Sequence, residues 1–469
     1  MVRANSLFSS FRIPFASPRI YRSRNKITII VYIVLASIIA DTFVNQNIQV
    51  RNFIGVSSNW SIAFFIILAA VTIMGQYYIL KFVRHKTREF RRKVSILNIS
   101  FKVTAAIQCL LVAVFLFVIA EIVINSHYPS ASLAVVTAVS YALNICLMAV
   151  FAEVFLSWYK SNRSSIAVLL YGLSFAVVVI TSCVFLTGSL NRFLEKPMYI
   201  SPFSDIGLTK SEPGSIQNLL GKIYHYSEIV SFALKWTATV FLLYHYSQKM
   251  GRAKYWTLIS LPLLYFLGTY LDDFHIYEPK SELEEFYWQI YVTLNSTAGG
   301  ILFYIGFLVA AKHFQEDWAI KDYLLICGFG FLLFFNAGQS TLANSLYPPY
   351  GLATMSFYGL SSFLILLGLY SSAVSISQDS GLRRLIIKLA TNEMNLLRSI
   401  GTSHREAEIW KRVNKLKSVV EEEEREMEQR TGVQSSLEDK DVKNYVEEVL
   451  QEFGKTKVQN KKASKKPET

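Results

Sequence analysis

Apolar residues in this chain gather into long unbroken runs, with no sustained alternation of the kind a half-buried strand shows. Ten stretches approach or exceed the roughly 20 mostly apolar residues that a helix needs to cross a hydrocarbon core. They are Ile27–Phe43, Ile62–Val83, Val103–Ile124, Leu133–Trp158, Ile166–Thr187, Glu228–Tyr246, Tyr255–Leu271, Tyr287–Ala311, Tyr323–Ala337 and Leu352–Ile376. Continuous runs favour helices, which satisfy their own backbone hydrogen bonds in lipid, over barrel strands, which alternate. The pattern predicts an all-α polytopic transmembrane bundle over residues 27–376, with the ninth and seventh runs the shortest. The longest connection, about Gly188 to Ser227, holds Pro197, Pro202, Pro213 and Gly214 and reads as a turn-rich cap. Gly299 and Gly300 in the eighth run read as a close-packing or kink site.

Composition sharpens this picture. Hydrophobic residues make up 52% of the 469 and charged residues only 17%, against about a quarter charged in soluble domains. A soluble enzyme, a disordered chain and a disulfide-stapled secreted module are excluded. The basic residues separate by side. If the runs alternate, about 20 Lys and Arg fall on one face, from the 1–26 segment, the Lys81–Lys93 cluster and the later loops. About six fall on the other. The positive-inside rule then places both termini in the cytoplasm of a cell-membrane protein. The net charge of +13 is therefore topology, and its expected partner is the anionic lipid headgroup and not nucleic acid. The first run, with its long basic lead, reads as a retained signal anchor. Cys109, Cys146, Cys183 and Cys327 all lie inside runs and read as small hydrophobes.

After Ser377 the composition changes, and residues 377–454 read as cytoplasmic helices. Leu382, Leu385, Ile386 and Leu389 form an amphipathic stripe that Gly401 ends. Ser403 and Glu406 form a capping box, and His404 reads as a capped surface histidine. Ile409, Val413, Leu416 and Val420 then make a short coiled-coil seam. A last helix carries Val442, Tyr445, Val446, Val449, Leu450 and Phe453 on one face. So short a helix is not stable alone in water, so this face packs on the preceding coil, on a second copy or on a docking protein. Residues 455–469 are Lys-rich and read as disordered. The tail segments GLRRLIIKLATNEMNLLRSIG and SSLEDKDVKNYVEEVLQE resemble the tails of archaeal multi-pass membrane proteins of unassigned function. That likeness covers the last quarter of the chain and implies an archaeal plasma membrane, with no activity attached.

Ionisable groups inside spans are costly and are the default functional candidates. Asp41, Glu121 and Lys235 fall at a similar depth near the outer side, which makes a Lys235–Glu121 pair geometrically possible. Glu153 and His245 form a second layer nearer the cytoplasm. The acidic loop with Asp272, Asp273 and His275 has carboxylates and an imidazole but no diagnostic ligand spacing, so it is only a weak metal candidate. No catalytic or cofactor-binding motif is present. The expectation is a non-enzymatic membrane sensor or scaffold that reports through its tail, without a cofactor. The alternative is a secondary transporter of a small solute or ion. A transporter calls for a continuous polar path and broken helices near the midplane; a scaffold calls for a dry, packed core.

Overall fold

The structure, a computed structural model, describes residues 18–47, 59–88, 94–161, 166–202, 216–243, 252–268, 281–312, 319–338, 342, 345–378, 401–409 and 411. Among these residues, ten long helices stand where the ten apolar runs predict them. They are α1 (Pro18–Gln46), α2 (Asn59–Lys86), α3 (Ser95–Asn125), α4 (Ser130–Ser161) and α5 (Ile166–Leu194). The rest are α6 (Ile216–Leu243), α7 (Arg252–Gly268), α8 (Glu282–Lys312), α9 (Ala319–Ala337) and α10 (Leu352–Gln378). Seven of them, α1 to α5 with α9 and α10, are long and apolar enough to cross a membrane. The fold is all-helical and fits a multi-pass membrane protein. α8 contributes a shorter apolar segment, Gly299–Ala311, among the described residues.

Several helices outrun the apolar runs. α1 begins at Pro18, where a proline suits a first helical turn, so residues 18–26 of the basic lead predicted as a separate segment are helical. α6 begins at Ile216, twelve residues before its run, and shortens the expected cap. Ile216, Leu219, Leu220 and Ile223 recur at helical spacing there, which a search for unbroken apolarity overlooks. Between the ends of α3 and α5, β1 (Tyr128–Pro129) pairs antiparallel with β2 (Tyr199–Ile200), with Tyr128 opposite Ile200. This marks one end of the bundle as the bridge end. The opposite end carries Arg24 and Lys86 and is the basic end.

Helices α1 to α8 follow one another around a ring that closes where α8 meets α1, and α9 and α10 fill its centre. Nearly every residue of α10 is buried, and so is almost all of α9. Mean hydropathy runs the other way. It is 2.8 for α3, the least buried of the seven, against 1.5 for α9 and 1.7 for α10. A helix facing lipid needs an apolar surface, whereas one enclosed by protein can carry hydroxyls. Thr354, Ser356, Ser361, Ser362, Ser371 and Ser372 of α10 are all fully buried. On the ring's outer surface lie Ile67, Met74, Leu116, Phe117 and Ile180, together with Cys109, Cys146 and Cys183.

Where α9 and α10 meet, side chains give way to backbone. A Cβ on Gly368 would stand 2.7 Å from the backbone nitrogen of Cys327 and from the carbonyl oxygen of Tyr323. One on Gly330 would stand 2.8 Å from the backbone nitrogen of Ile365. The Gly299–Gly300 pair also packs closely, with Gly300 against the Leu332 backbone. Small residues at such crossings let dispersion act between helices that lipid does not drive together.

The chain divides into two compact units, Met1–Ala407 and Glu408–Thr469. All ten helices belong to the first. Of the second, only residues 408, 409 and 411 are described. The coiled-coil seam beyond Ile409, the face bearing Val442, Tyr445, Val446, Val449, Leu450 and Phe453, and the Lys-rich end lie outside the described residues.

Because the Gly368 contact is with backbone, relaxation is expensive. Gly368→Ala is expected to cost about 1–3 kcal/mol, read as a lower melting temperature of purified protein in detergent. Gly188→Ala is the control: a Cβ there meets nothing within 4 Å, and the melting temperature does not fall.

Candidate functional site

A polar group facing lipid has no partner, and the ring helices turn theirs inward. Asp41 and Thr42 of α1 reach Thr354, and Gln76 of α2 donates from Nε2 to Ser356 Oγ at 2.6 Å. Gln108 of α3 donates to the Ser356 carbonyl at 3.2 Å. Asn144 of α4 accepts from Ser362 Oγ at 2.6 Å and donates to Ser182 Oγ of α5 at 2.7 Å. Thr297 of α8 donates to Asn336 Oδ1 of α9 at 2.6 Å. Each such bond is worth about 0.6 kcal/mol in a membrane protein, so individually they select register more than they supply stability.

Asp41 is completely buried and serves the start of α10. Its Oδ1 accepts the Gly351 N–H at 2.9 Å; its Oδ2 accepts the Thr354 N–H at 2.9 Å and the Thr354 hydroxyl at 2.8 Å. This is an N-cap supplied by another helix, with the helix dipole favouring the carboxylate. The preceding segment is tied down as well. Ser345 Oγ lies 3.0 Å from Asn45 Oδ1, Tyr128 donates its hydroxyl to the Leu346 carbonyl, and Lys196 Nζ donates to the Ser345 carbonyl. The structure thus gives Asp41 a capping role in place of the ion-pair layer expected for it.

At the basic end lies a cluster that the sequence reading missed. Asp322, in the first turn of α9, is buried with Arg24 Nε at 2.6 Å and Lys86 Nζ at 2.9 Å. Three helices meet on one carboxylate. Arg24 and Lys86 read as topology signals in the sequence, and Asp322 sits beside Lys321 at the edge of its run. Only their helical phase, inward on all three helices, distinguishes them. Removing one partner of a buried ion pair costs about 3–5 kcal/mol. Asp322→Ala, which leaves two cations facing each other, is expected to lower the melting temperature more than Lys86→Met, which leaves Arg24 paired.

α6 also turns a cation inward, Lys235, and it ends differently. It is 3% exposed, and its ammonium lies 5.3 and 5.2 Å from the ring centroids of Phe334 and Phe335. Among the described residues no carboxylate comes within 4.0 Å of it and no hydrogen bond is made. It lines a cavity of about 50 Å³ with Tyr141, Glu228, Ser231, Phe232 and Tyr358. A cation on an aromatic face gains about 2 kcal/mol when desolvated, while burying an unpaired charge costs several. Two rings offset only part of that cost. The cavity lies toward the bridge end, six residues into α10 at Tyr358.

The other expected groups do not join it. Glu121 accepts from Asn125 Nδ2 at 2.7 Å and lies 4.0 Å from His127 Nδ1, so the Lys235–Glu121 pair that depth allows is replaced by local partners. Glu153 lies on the exposed face of α4 and not in an inner layer. His245 and the candidate metal ligands Asp272, Asp273 and His275 lie outside the described residues. Among the described residues no group of three or more His, Cys, Asp or Glu could hold a metal ion.

The tail returns to the bundle at residues 401–407, which are helical from Gly401 onward. Ser403 therefore lies within the helix and not before it. Both Ser403 and His404 are buried, His404 against its expected surface position. The His404 ring stands edge-on to Trp158 of α4 at 5.3 Å and to Tyr370 of α10 at 6.1 Å. Buried Gly401 adds no side chain to this contact. Glu406 is half-buried, and burial lifts its carboxyl above the ordinary range, with Arg405 opposing. Ionising Glu406 then costs more docked than free, so its favourable contribution is full at low pH and is lost as pH rises through the lifted value. Glu406→Gln is expected to slow amide exchange over 401–409 at neutral pH and to leave it unchanged at acid pH.

No protein-family model, curated protein or solved structure matches this chain.

Proposed function

We propose that this protein is a non-enzymatic membrane sensor with its basic end in the cytoplasm. It crosses the cell membrane with all ten helices and takes its input at the Lys235 cavity. One observation carries the reading. α10 is common to both ends of the path: Tyr358 lines the cavity, and Tyr370, twelve residues on, meets His404 of the tail. A helix held in register by inward polar bonds moves as a body, so a change at the cavity is transmitted along it. The tail beyond residue 407 is then the output, through a second copy or a docking protein.

The unpartnered charge of Lys235 also favours a second reading, a secondary transporter. Such proteins bind substrate at unwound helix breaks, whereas α6 and α10 run unbroken past the cavity. The packed aromatic core around Phe303, Phe331 and Phe335 supports the sensor.

Hydrogen–deuterium exchange of the full chain in nanodiscs tests the coupling. Lys235→Met relieves the buried charge and is expected to change exchange over residues 401–409 severalfold. Altered exchange confined to the cavity walls, with 401–409 unmoved, would sink the sensor reading.

A further inference from the structure

The ligand of the cavity is readable from the donors that line it. Lys235 is one of two buried donors there with nothing to bind. The other is Tyr141 of α4, 1% exposed, whose hydroxyl makes no hydrogen bond among the described residues. Its ring is fixed against Phe185 at 4.6 Å and Tyr358 at 4.7 Å, so the hydroxyl is held in place. Ser231 Oγ reaches its acceptor, the Ser174 carbonyl, only at 3.5 Å. An ammonium, a phenol and a weakly engaged hydroxyl around one space are what a carboxylate binds. Phe232 and Phe266, stacked at 3.9 Å, line the same space and keep it apolar otherwise.

A route from the bridge end leads there. At that end of α5 and α6 a cleft of about 210 Å³ is lined by Arg192, Gln217, His225, Gly188 and Gly221. It shares Tyr224 with the Lys235 cavity. A Cβ on either glycine would meet nothing within 4 Å, so the cleft is open along both helices. Arg192 marks its mouth, and a cationic mouth draws anions. Glu228 lies between cleft and cavity, two turns from Lys235 on α6. With Glu195, which accepts from the cleft-lining Gln217 at 3.0 Å, it balances Arg192 and Lys235 along the path and disfavours a second carboxylate on the ligand. The inner cavity has room for a group of two or three heavy atoms, with the remainder of a larger molecule left in the cleft.

We propose that the cavity is a receptor site for a small organic monocarboxylate, entering from the bridge end, with its carboxylate on Lys235 and Tyr141. This rests on the cavity being the input site of the proposed sensor. Thermal unfolding of the full-length protein in nanodiscs would be followed against sodium acetate, propionate and lactate, with sodium chloride and ethylammonium chloride as controls. The three carboxylates are expected to raise the melting temperature saturably, and the controls to leave it unchanged. Tyr141→Phe, which removes one oxygen, is expected to weaken the apparent affinity roughly tenfold, and Lys235→Met to abolish the response. No saturable rise with any carboxylate, an equal rise with sodium chloride, or a rise that survives Lys235→Met overturns the assignment. Exchange over residues 401–409 with acetate present separates the two claims. Acetate that binds without moving those residues keeps the ligand class and removes the sensor. Ethylammonium that alone binds and moves them keeps the sensor and removes the ligand class.

Discussion

The close approach of α9 and α10 at Gly368 and Gly330 is the constraint on which the remaining architecture depends. With backbone against backbone, this pair is thin enough for a ring of eight helices to enclose it, and each ring helix that carries a polar side chain can reach it. A side chain inserted at that crossing would widen the centre and draw Ser356 and Ser362 away from Gln76, Gln108 and Asn144. The polar bonds are weak one by one, about 0.6 kcal/mol each, and several together come to only a few kcal/mol. Their value lies in geometry. A helix rotated by one residue places its amide in lipid, where no alternative partner exists.

Charge is distributed on the same plan but with three different outcomes. Asp41 is neutralised by backbone dipoles and a hydroxyl at the start of α10, and Asp322 by two cations at the start of α9. Both carboxylates therefore sit at N-termini of the inner helices, at opposite ends of the bundle. Lys235 has no ion pair or hydrogen bond among the described residues and is left with two aromatic faces and a cavity that Glu228 also lines. Structural ion pairs are satisfied because nothing must happen at them. A buried charge left without its counterpart is a state that a binding partner can improve, and this difference separates the candidate site from the two structural ones.

Much of the fold was legible because lipid writes directly into composition: a run of apolar residues is both the signal and the physical requirement. The same logic misjudged the centre. The ninth run looked marginal because an enclosed helix is free of the requirement, and its low hydropathy reflects burial in protein. Lys235 was visible as a charge in a span, but its aromatic surroundings were not, because a single sequence does not give the azimuth of one helix against another. Glu121 matched it in depth and not in direction. Asp322 was hidden by its neighbour Lys321 and by partners 298 residues away in the case of Arg24. The amides Gln76, Gln108 and Asn144 do not stand out in an apolar run as full charges do, although in lipid a lone amide also requires a partner.

Chain order gives the inner pair a further consequence, one that concerns synthesis. The first five helices carry mean hydropathies of 2.0 to 2.8 and can partition into a bilayer on their own account as they emerge. α9 and α10 emerge after all eight ring helices and are the least apolar of the seven, with hydroxyls and a carboxylate that lipid alone would leave unmet. Their partners Asp41, Gln76, Gln108, Asn144 and Thr297 are already in place by then. Entry of the last two helices can thus be guided by polar partners that the earlier ones already present to them.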